Sequence, residues 1–413
     1  MAFTKAQKSW LAYDPAISAY AMIVRTVVAP IFLTFAAGSY LGEDKCTEYW
    51  GYTCSIAGLV AGAISVFCGP WIDAKRKKVQ AVALFTILGV LSTLAYIPLN
   101  YFNAGSAAPY IVMGISFVGM LSFMGSNSFY DSLLVSITGK SERDKVSSWG
   151  FALGYGGALV SFLLCLPLMF IADQKFFFPG AFLIAALWWA AGSLPLFKNV
   201  REKHDGEMQK SVNLKDTLKY IWENKNILIF LAAYFLYIDG VGTIMMQATL
   251  IATSLKIDTL FIMVTILALQ IIGLPFTLLF GKLADRFSAK AMIYVAIAIY
   301  ISIAVIVTVM SFLHDAGIRV ILFYVAAGLI GTAQGGIQSL SRSLFSKIIP
   351  QHRAAELFAV YNIFGRFTTI VGPLLMIPIA VHVWGKAELG ISLMILPFIC
   401  GALLLSKVKV AEN

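Results

Sequence analysis

Charge is what this sequence has least of. Only 13% of its 413 residues are Asp, Glu, Lys or Arg, while 59% are hydrophobic. Mean hydropathy is +0.83. A soluble domain cannot hide that much apolar surface, so the bilayer is the solvent of this chain. Histidine is rare as well. The four, His204, His314, His352 and His382, fall in loops or at span ends, far apart in sequence. No His-Glu-x-x-His, Gly-x-Ser-x-Gly or Walker phosphate loop occurs, which argues against zinc hydrolysis, acyl transfer and ATP-driven pumping by this chain alone. No enzyme activity, cofactor or metal is expected. The five cysteines are too few for a disulfide scaffold, and none is paired at metal-ligand spacing. Cys46 and Cys54 fall near the first outer loop, where an oxidising compartment permits a bridge, although spacing does not set connectivity.

Long polar segments are missing too. The longest runs from Lys198 to Lys225, too short for a soluble domain. The net charge of +10 is therefore not read as a nucleic-acid footprint. Apolar runs near the roughly 20 residues that a membrane helix needs number twelve. They cover 15–40, 51–72, 79–101, 109–137, 147–172 and 178–196, then 227–255, 260–283, 291–313, 320–348, 355–383 and 389–405. Laid across a bilayer, they leave most of the 31 Lys and Arg on one side, which the positive-inside rule makes cytoplasmic. An even count places both termini there. Residues 1–13 are polar and no cleavage signature follows, so the first helix is expected to be retained. The chain divides into 1–197, a linker at 198–225, and 226–413. Within the linker, Leu214, Leu218, Ile221 and Trp222 recur at helical spacing between Lys215, Lys219 and Lys225. That pattern fits either an amphipathic helix on the cytoplasmic leaflet or a flexible connection.

Against this apolar background, a few polar residues stand inside the runs. Asp239 lies mid-run, with Thr243 and Gln247 following at helical spacing. An ionised carboxylate facing lipid there costs at least roughly 2.5–3.5 kcal/mol, so it faces protein or a wet cavity. Burial also pulls such a group toward reversible protonation. Arg25, Asp131, Arg342 and Arg366 are the other intramembrane charges. Asn127 and Asp131 are four apart, as are Gln334, Gln338 and Arg342, so each set makes a one-sided stripe. The two halves also echo one another. Gly69-Pro-Trp-Ile-Asp73 follows the second run and Gly281-Lys-Leu-Ala-Asp285 the eighth, each before basic residues. At nearly that same offset, about half the chain, Asp131 maps onto Arg342 and Gly154 onto Gly365. One shared offset indicates a duplicated six-helix unit, a layout of secondary transporters.

These landmarks resemble those of the major facilitator superfamily, whose most specific short signature is the Gly-x-x-x-Asp-Arg-basic loop. Gly281 to Arg286 matches it well. The first copy has Ala74 where an arginine is usual, so its ionic latch is expected to be the weaker. A closer resemblance is to the vacuole-effluxer family, which comprises the autophagy-related vacuolar amino-acid exporter and its bacterial relatives. It is carried by 13–20 (YDPAISAY), 129–133 (FYDSL), 154–157 (GYGG), 335–343 (GGIQSLSRS) and Tyr361-Asn. The resemblance implies an all-α integral membrane fold of twelve helices in two pseudo-symmetric six-helix bundles. It also implies that spans one, four, seven and ten line the cavity, and export of amino acids or similar small solutes.

The combined expectation is a secondary active transporter in a bacterial inner membrane, monomeric, moving a small polar solute by alternating access with proton coupling. Substrate contacts are assigned to Arg25, Asn127, Asp239, Thr243, Gln247, Gln334, Gln338 and Arg342. Proton coupling is assigned to Asp239 and Asp131. Gating falls to Asp73, Asp131, Asp285, Arg286, Arg342 and Arg366. Permanent internal pairing is the bland alternative for each of these charges. A lipid or lipid-precursor flippase and a non-transporting receptor are the alternative functions.

Overall fold

The computed structural model describes residues 3–102, 105–171, 173–202, 214–371, 377–384 and 389–410. A capping box starts the first helix. Thr4 Oγ1 accepts the Gln7 N–H at 3.2 Å, and Gln7 Oε1 accepts the Thr4 N–H at 3.0 Å. From there α1 (Lys5–Leu11), α2 (Tyr13–Ala19), a π-helix (Tyr20–Val28) and α3 (Ala29–Leu41) run end to end. The crossing starts earlier than expected because Pro15 sits in the first turn of α2, where its missing N–H costs nothing. The π winding has local causes. Pro30, at the start of α3, offers no N–H and its ring crowds the carbonyl four residues back. Thr26 Oγ1 in turn donates to the Ala21 carbonyl five residues earlier, at 2.7 Å.

Gly42, at φ +80°, breaks the chain between α3 and the next helix. The first half continues as α4 (Glu43–Lys75), α5 (Lys78–Leu99), α6 (Ala108–Ile137), α7 (Arg143–Ile171) and α8 (Gln174–Asn199). A short α9 (Leu214–Glu223) precedes α10 (Lys225–Ser254), α11 (Thr259–Phe287), α12 (Ala289–Phe312) and α13 (Ala316–Ile348). The chain closes with α14 (Ala354–Val371), α15 (Ile377–Trp384), α16 (Gly390–Leu393) and α17 (Ile395–Ser406). Ten helical stretches among the described residues are long and apolar enough to cross a membrane. They coincide with the first ten expected runs. The eleventh is shared by α14 and α15, with 372–376 outside the described residues. The twelfth is the shorter apolar stretch Gly390–Ser406. The architecture is all-α and integral to the membrane, and it is consistent with twelve helices.

Because α4 begins at Glu43, both cysteines of the first outer region lie on one helix. Eight residues of helix separate Cys46 and Cys54 by about 12 Å along the axis, well beyond a disulfide's Cα spacing. Both thiols are free.

Contacts divide the chain into two compact units. The first holds Met1–Thr138, Leu153–Leu214 and Gln351–Val360, and the second holds Gly139–Ala152, Lys215–Pro350 and Tyr361–Asn413. Each unit therefore includes a short segment from the opposite half of the sequence. In the first, Phe32 packs edge-on against Tyr96, Phe178 and Phe182, and Tyr96 stacks on Phe182 at 4.4 Å. In the second, Tyr361 lies between Tyr234 and Phe345, with centroids 4.1 and 4.9 Å away. Large apolar side chains such as Phe67, Phe176 and Leu396 are about two-thirds exposed. In water such a surface would drive aggregation; in a bilayer it is the lipid contact.

The GYGG segment earns its glycine at 157. A Cβ there would fall 2.4 Å from the Cα of Pro15, so α7 rests directly on the α2 backbone. Gly157→Val should therefore lower the melting temperature in detergent by several degrees, an overpacking cost of about 1–3 kcal/mol. Gly139→Ala, where nothing lies within 4 Å of the added carbon, should leave it unchanged.

Candidate functional site

The buried stripe on α10 is the centre of the candidate site. Asp239, Thr243 and Gln247 are 3%, 0% and 2% exposed, so none of them meets lipid. Neighbouring faces of the same helix are held by ordinary packing. Gly240 lets Phe398 of α17 approach to within van der Waals reach, and Tyr237 shares a 2.7 Å hydrogen bond with Ser341 of α13. The stripe itself is only partly satisfied. Thr243 Oγ1 and Gln247 Nε2 have no hydrogen-bond partner among the described residues. Each such buried polar atom costs about 1–3 kcal/mol. The two lie one and two helical turns from Asp239, on the same face of α10.

On α13 the second stripe divides. Gln334 and Gln338 are half-buried, whereas Arg342 is buried and engaged. Its Nε donates to Ser147 Oγ at 2.9 Å and its Nη2 to the Ser147 carbonyl at 3.0 Å. The guanidinium also lies 4.4 Å from the Phe151 ring centroid. The start of α7 is strapped along this part of α13. Ser147 Oγ donates to the Ser339 carbonyl at 2.7 Å, Ser343 Oγ to Asp144 Oδ1 at 2.6 Å, and Arg143 to the Ser346 carbonyl. Lys347 forms a salt bridge with Asp144. The serine-rich 339–346 segment thus acts as a row of acceptors and donors for one polar helix start. Arg143, Asp144, Ser147 and Lys347 are not among the residues singled out from sequence. Their partners lie about half the chain away, and no local pattern announces them.

The two Gly-x-x-x-Asp loops prove unequal, in the direction opposite to expectation. Gly69 is needed because a Cβ there would sit 2.8 Å from the Cα of Glu356. That approach lets Asp73 Oδ2 accept the Glu356 N–H at 2.9 Å, in the first turn of α14, where a carboxylate meets unpaired donors and the positive end of the helix dipole. Lys78 Nζ lies 3.0 Å from Asp73 Oδ1 and supplies the cation that Ala74 cannot. Around this pair, Arg353 bonds Glu356, and Glu202 Oε1 accepts the Lys78 N–H at 2.7 Å. Burial pushes the Glu202 carboxyl above its ordinary range, with Lys78 opposing the shift. The second copy is looser. Gly281 again gives way to a helix start, here Ser148 of α7, but Asp285 and Arg286 are exposed. Arg286 lies over the neighbouring Phe287 ring. Asp285 lines a cavity of about 530 Å³ with Asp144, Lys290 and Lys347.

Of the candidates in the first unit, Arg25 is half-buried on the π-helix, 5.9 Å from the Phe123 ring centroid. Ser18 does not share its face. The π winding takes more residues per turn, so seven residues no longer close two turns, and a Cβ at Gly154 would come within 3.1 Å of Ser18 Oγ. Asn127 is half-buried and Asp131 buried on α6. Beside Asp131, Tyr130 is clamped: its hydroxyl reaches Asp14 Oδ2 at 2.7 Å, its carbonyl accepts Trp10 Nε1–H at 3.0 Å, and its ring stacks on Trp10. Arg366 lies on α14, and its side chain is outside the described residues.

A family model described as "Vacuole effluxer Atg22 like" matches residues 37–412. The chain belongs to that family. It is 34% identical to the MFS-type transporter YxiO of Bacillus subtilis (strain 168), over 98% of this chain and 95% of that one. Autophagy-related protein 22 of Saccharomyces cerevisiae is 26% identical, over 77% of this chain and 69% of the yeast protein. Among solved structures, the proton:xylose symporter XylE superposes with a TM-score of 0.74 at 14% identity, covering 99% of this chain and 96% of its own. A bacterial homologue of the iron transporter ferroportin gives 0.73 at 12% identity, covering 98% of both chains. At such identities the likeness establishes the major facilitator fold and not the cargo. The Atg22-like chain is a multi-pass MFS-type transporter.

The Asp73 cluster yields a direct test. Lys78→Ala leaves a buried carboxylate without its cation and should cost about 3–5 kcal/mol, read as a large fall in melting temperature. Asp73→Asn keeps an acceptor for the Glu356 N–H and should cost clearly less than Asp73→Ala. Equal losses for Asn and Ala would show that the α14 cap contributes nothing.

Proposed function

We propose that this Atg22-like protein is a secondary active transporter that moves a small polar solute by alternating access, coupled to protons. The solute is an amino acid or a related anionic or zwitterionic metabolite. The observation that carries this reading is the α10 stripe, where a buried carboxylate sits beside two unpartnered polar atoms. An apolar cargo has no use for such groups, and a purely structural helix would have shed their cost. The amino-acid assignment draws on the resemblance to the vacuole effluxers. Proton coupling draws on the burial of Asp239 within a membrane-length helix, where an ionisable side chain is a candidate proton carrier.

Within this reading, Asp239 holds a substrate amine or the coupling proton, and Thr243, Gln247, Gln334, Gln338 and Asn127 supply neutral hydrogen bonds. Arg25 anchors the anionic group. Arg342 is the poorer anchor because Ser147 already takes two of its donors. Asp73, Asp285, Arg286, Arg342, Arg366 and Asp131 act in gating, with Asp131 a second proton carrier. The protein works as a monomer in a bacterial inner membrane with both termini cytoplasmic, and performs no chemistry on its cargo.

Two substitutions separate transport from scaffolding. In proteoliposomes with an imposed pH gradient, Asp239→Asn should lose at least about tenfold of gradient-driven flux, equivalent to 1.4 kcal/mol of a barrier. A wild-type rate with unchanged pH dependence would remove Asp239 from the mechanism. Thr243→Val has nearly the same shape without the orphaned hydroxyl. It should raise the melting temperature while weakening substrate binding, because the cost removed is the one the solute relieves. Lower stability and intact transport would mark Thr243 as packing.

A further inference from the structure

Helix α9 is ordered against the protein on one face only. Thr217 and Ile221 are buried at 0% and 6% exposure, while Leu218 is 52% and Trp222 74% exposed. Winding at 3.6 residues per turn sets the order of side chains around the helix. After the buried pair come Leu218 and Trp222, then Lys215 and Lys219, and on the far side Glu223 and Asp216. The apolar pair and the two lysines thus share one continuous outer arc, which Glu223 and Asp216 extend beyond Lys219. One residue, Asn224, separates α9 from α10, and α10 is a membrane crossing from its first residue, Lys225. Trp222 therefore lies within a turn of the start of that candidate span, and indole rings favour the headgroup layer.

A second strand of the chain reaches the same place. Asn226, in the first turn of α10, holds Lys409 through both its amide atoms. Nδ2 donates to the Lys409 carbonyl and Oδ1 accepts the Lys409 N–H, each at 2.8 Å. Lys290 Nζ pins the same strand by donating to the carbonyls of Ser406 and Val408, at 2.8 and 2.9 Å. Those bonds leave the side chains of Lys407 and Lys409 exposed beside Lys225. Five exposed lysines, at 215, 219, 225, 407 and 409, thus lie on α9, at the start of α10 and on the segment bonded to it, against the exposed acids Asp216 and Glu223 and, in the cavity lined by Val408 and Val410, Asp285. Lys219 and Glu223 approach to 3.8 Å, but both are mostly exposed, so their pairing is weak.

We propose that α9 and the 407–409 strand together form a docking surface for anionic phospholipid headgroups in the leaflet where α10 begins. Leu218 and Trp222 enter the headgroup layer, and the five lysines contact lipid phosphates. An anionic bilayer fits this surface because the apolar residues lie beside the start of a membrane span and the lysines around them outnumber the exposed acids. The surface is separate from the α10 stripe and does not depend on what the protein carries.

Quenching of Trp222 by brominated lipid tests the assignment. The full-length protein is placed in phosphatidylcholine vesicles containing a minority of phosphatidylglycerol, with bromine on one lipid or the other. The protein has eight tryptophans, so the Trp222 signal is taken as wild type minus Trp222→Phe. Bromine on phosphatidylglycerol should quench that signal about threefold or more beyond its share of the lipid. Combined Lys215→Gln, Lys219→Gln, Lys407→Gln and Lys409→Gln should abolish the preference while quenching by total lipid persists. The pair Lys219→Gln and Lys409→Gln, with a wild-type melting curve, should halve it and guards against misfolding of the fourfold variant. Absence of quenching by either lipid, indifference between the two, or a preference that survives loss of the lysines would each overturn the proposal.

Discussion

Lipid tails offer no hydrogen bonds, and that constraint arranges the polar residues of this protein. Every donor and acceptor buried in the membrane region must meet a partner from the chain, from water or from a cargo. The beginning of α7 shows the first solution, with Arg143 Nε left without a partner among the described residues. Arg143, Asp144 and Ser147 would be costly where helix packs on helix, yet Ser339, Ser343, Ser346, Arg342 and Lys347 of α13 answer them nearly one for one. Serine suits this work because its hydroxyl can serve as donor or acceptor and its small side chain lets the helices close. The α10 stripe is the contrasting case, where the same requirement is left open at Thr243 and Gln247.

The same constraint explains why the two Gly-x-x-x-Asp loops differ. A glycine brings a neighbouring helix start within reach, but the gain depends on what the aspartate then finds. Asp73 finds an unpaired backbone N–H and a lysine, both shielded from water, so its charge is stabilised from two sides. Asp285 stays exposed, and Asp144 takes the bonds to Ser343 and Lys347 nearby. Motif agreement therefore tracked the wrong copy. An arginine at position 74 is one way to provide a cation, and Lys78, at the first turn of the following helix, is another that no residue-by-residue match would credit.

Much of the architecture was legible from the sequence because hydropathy over twenty residues depends little on detail. Ten runs became crossings near their expected limits. The first two helical stretches start before their apolar runs, because a helix tolerates Pro15 near its start and the polar residues before position 51 in its extramembrane turns. Of the candidate residues, the α10 stripe was legible because spacing of four on one helix is a local fact. The engagement of Arg342 by Ser147 and Phe151 was not, since it joins residues nearly two hundred positions apart. The π-helix was equally hidden. It arises from a proline and a threonine acting together, and hydropathy counts both as ordinary members of the run.

That hidden feature bears on Arg25. In an α-helix, Arg25 would stand above Ser18, on the side where a Cβ at Gly154 of α7 would come within 3.1 Å of the Ser18 hydroxyl. The π turn rotates it out of that register, to a half-buried position beside Phe123. Arg342, by contrast, has committed two of its donors to Ser147. Two arginines with equal standing in the sequence are thus separated by winding and packing alone. One is fastened into the strap between helices, and the other lies half-buried over an aromatic ring. The division of labour among the buried charges follows from helix geometry rather than from residue type.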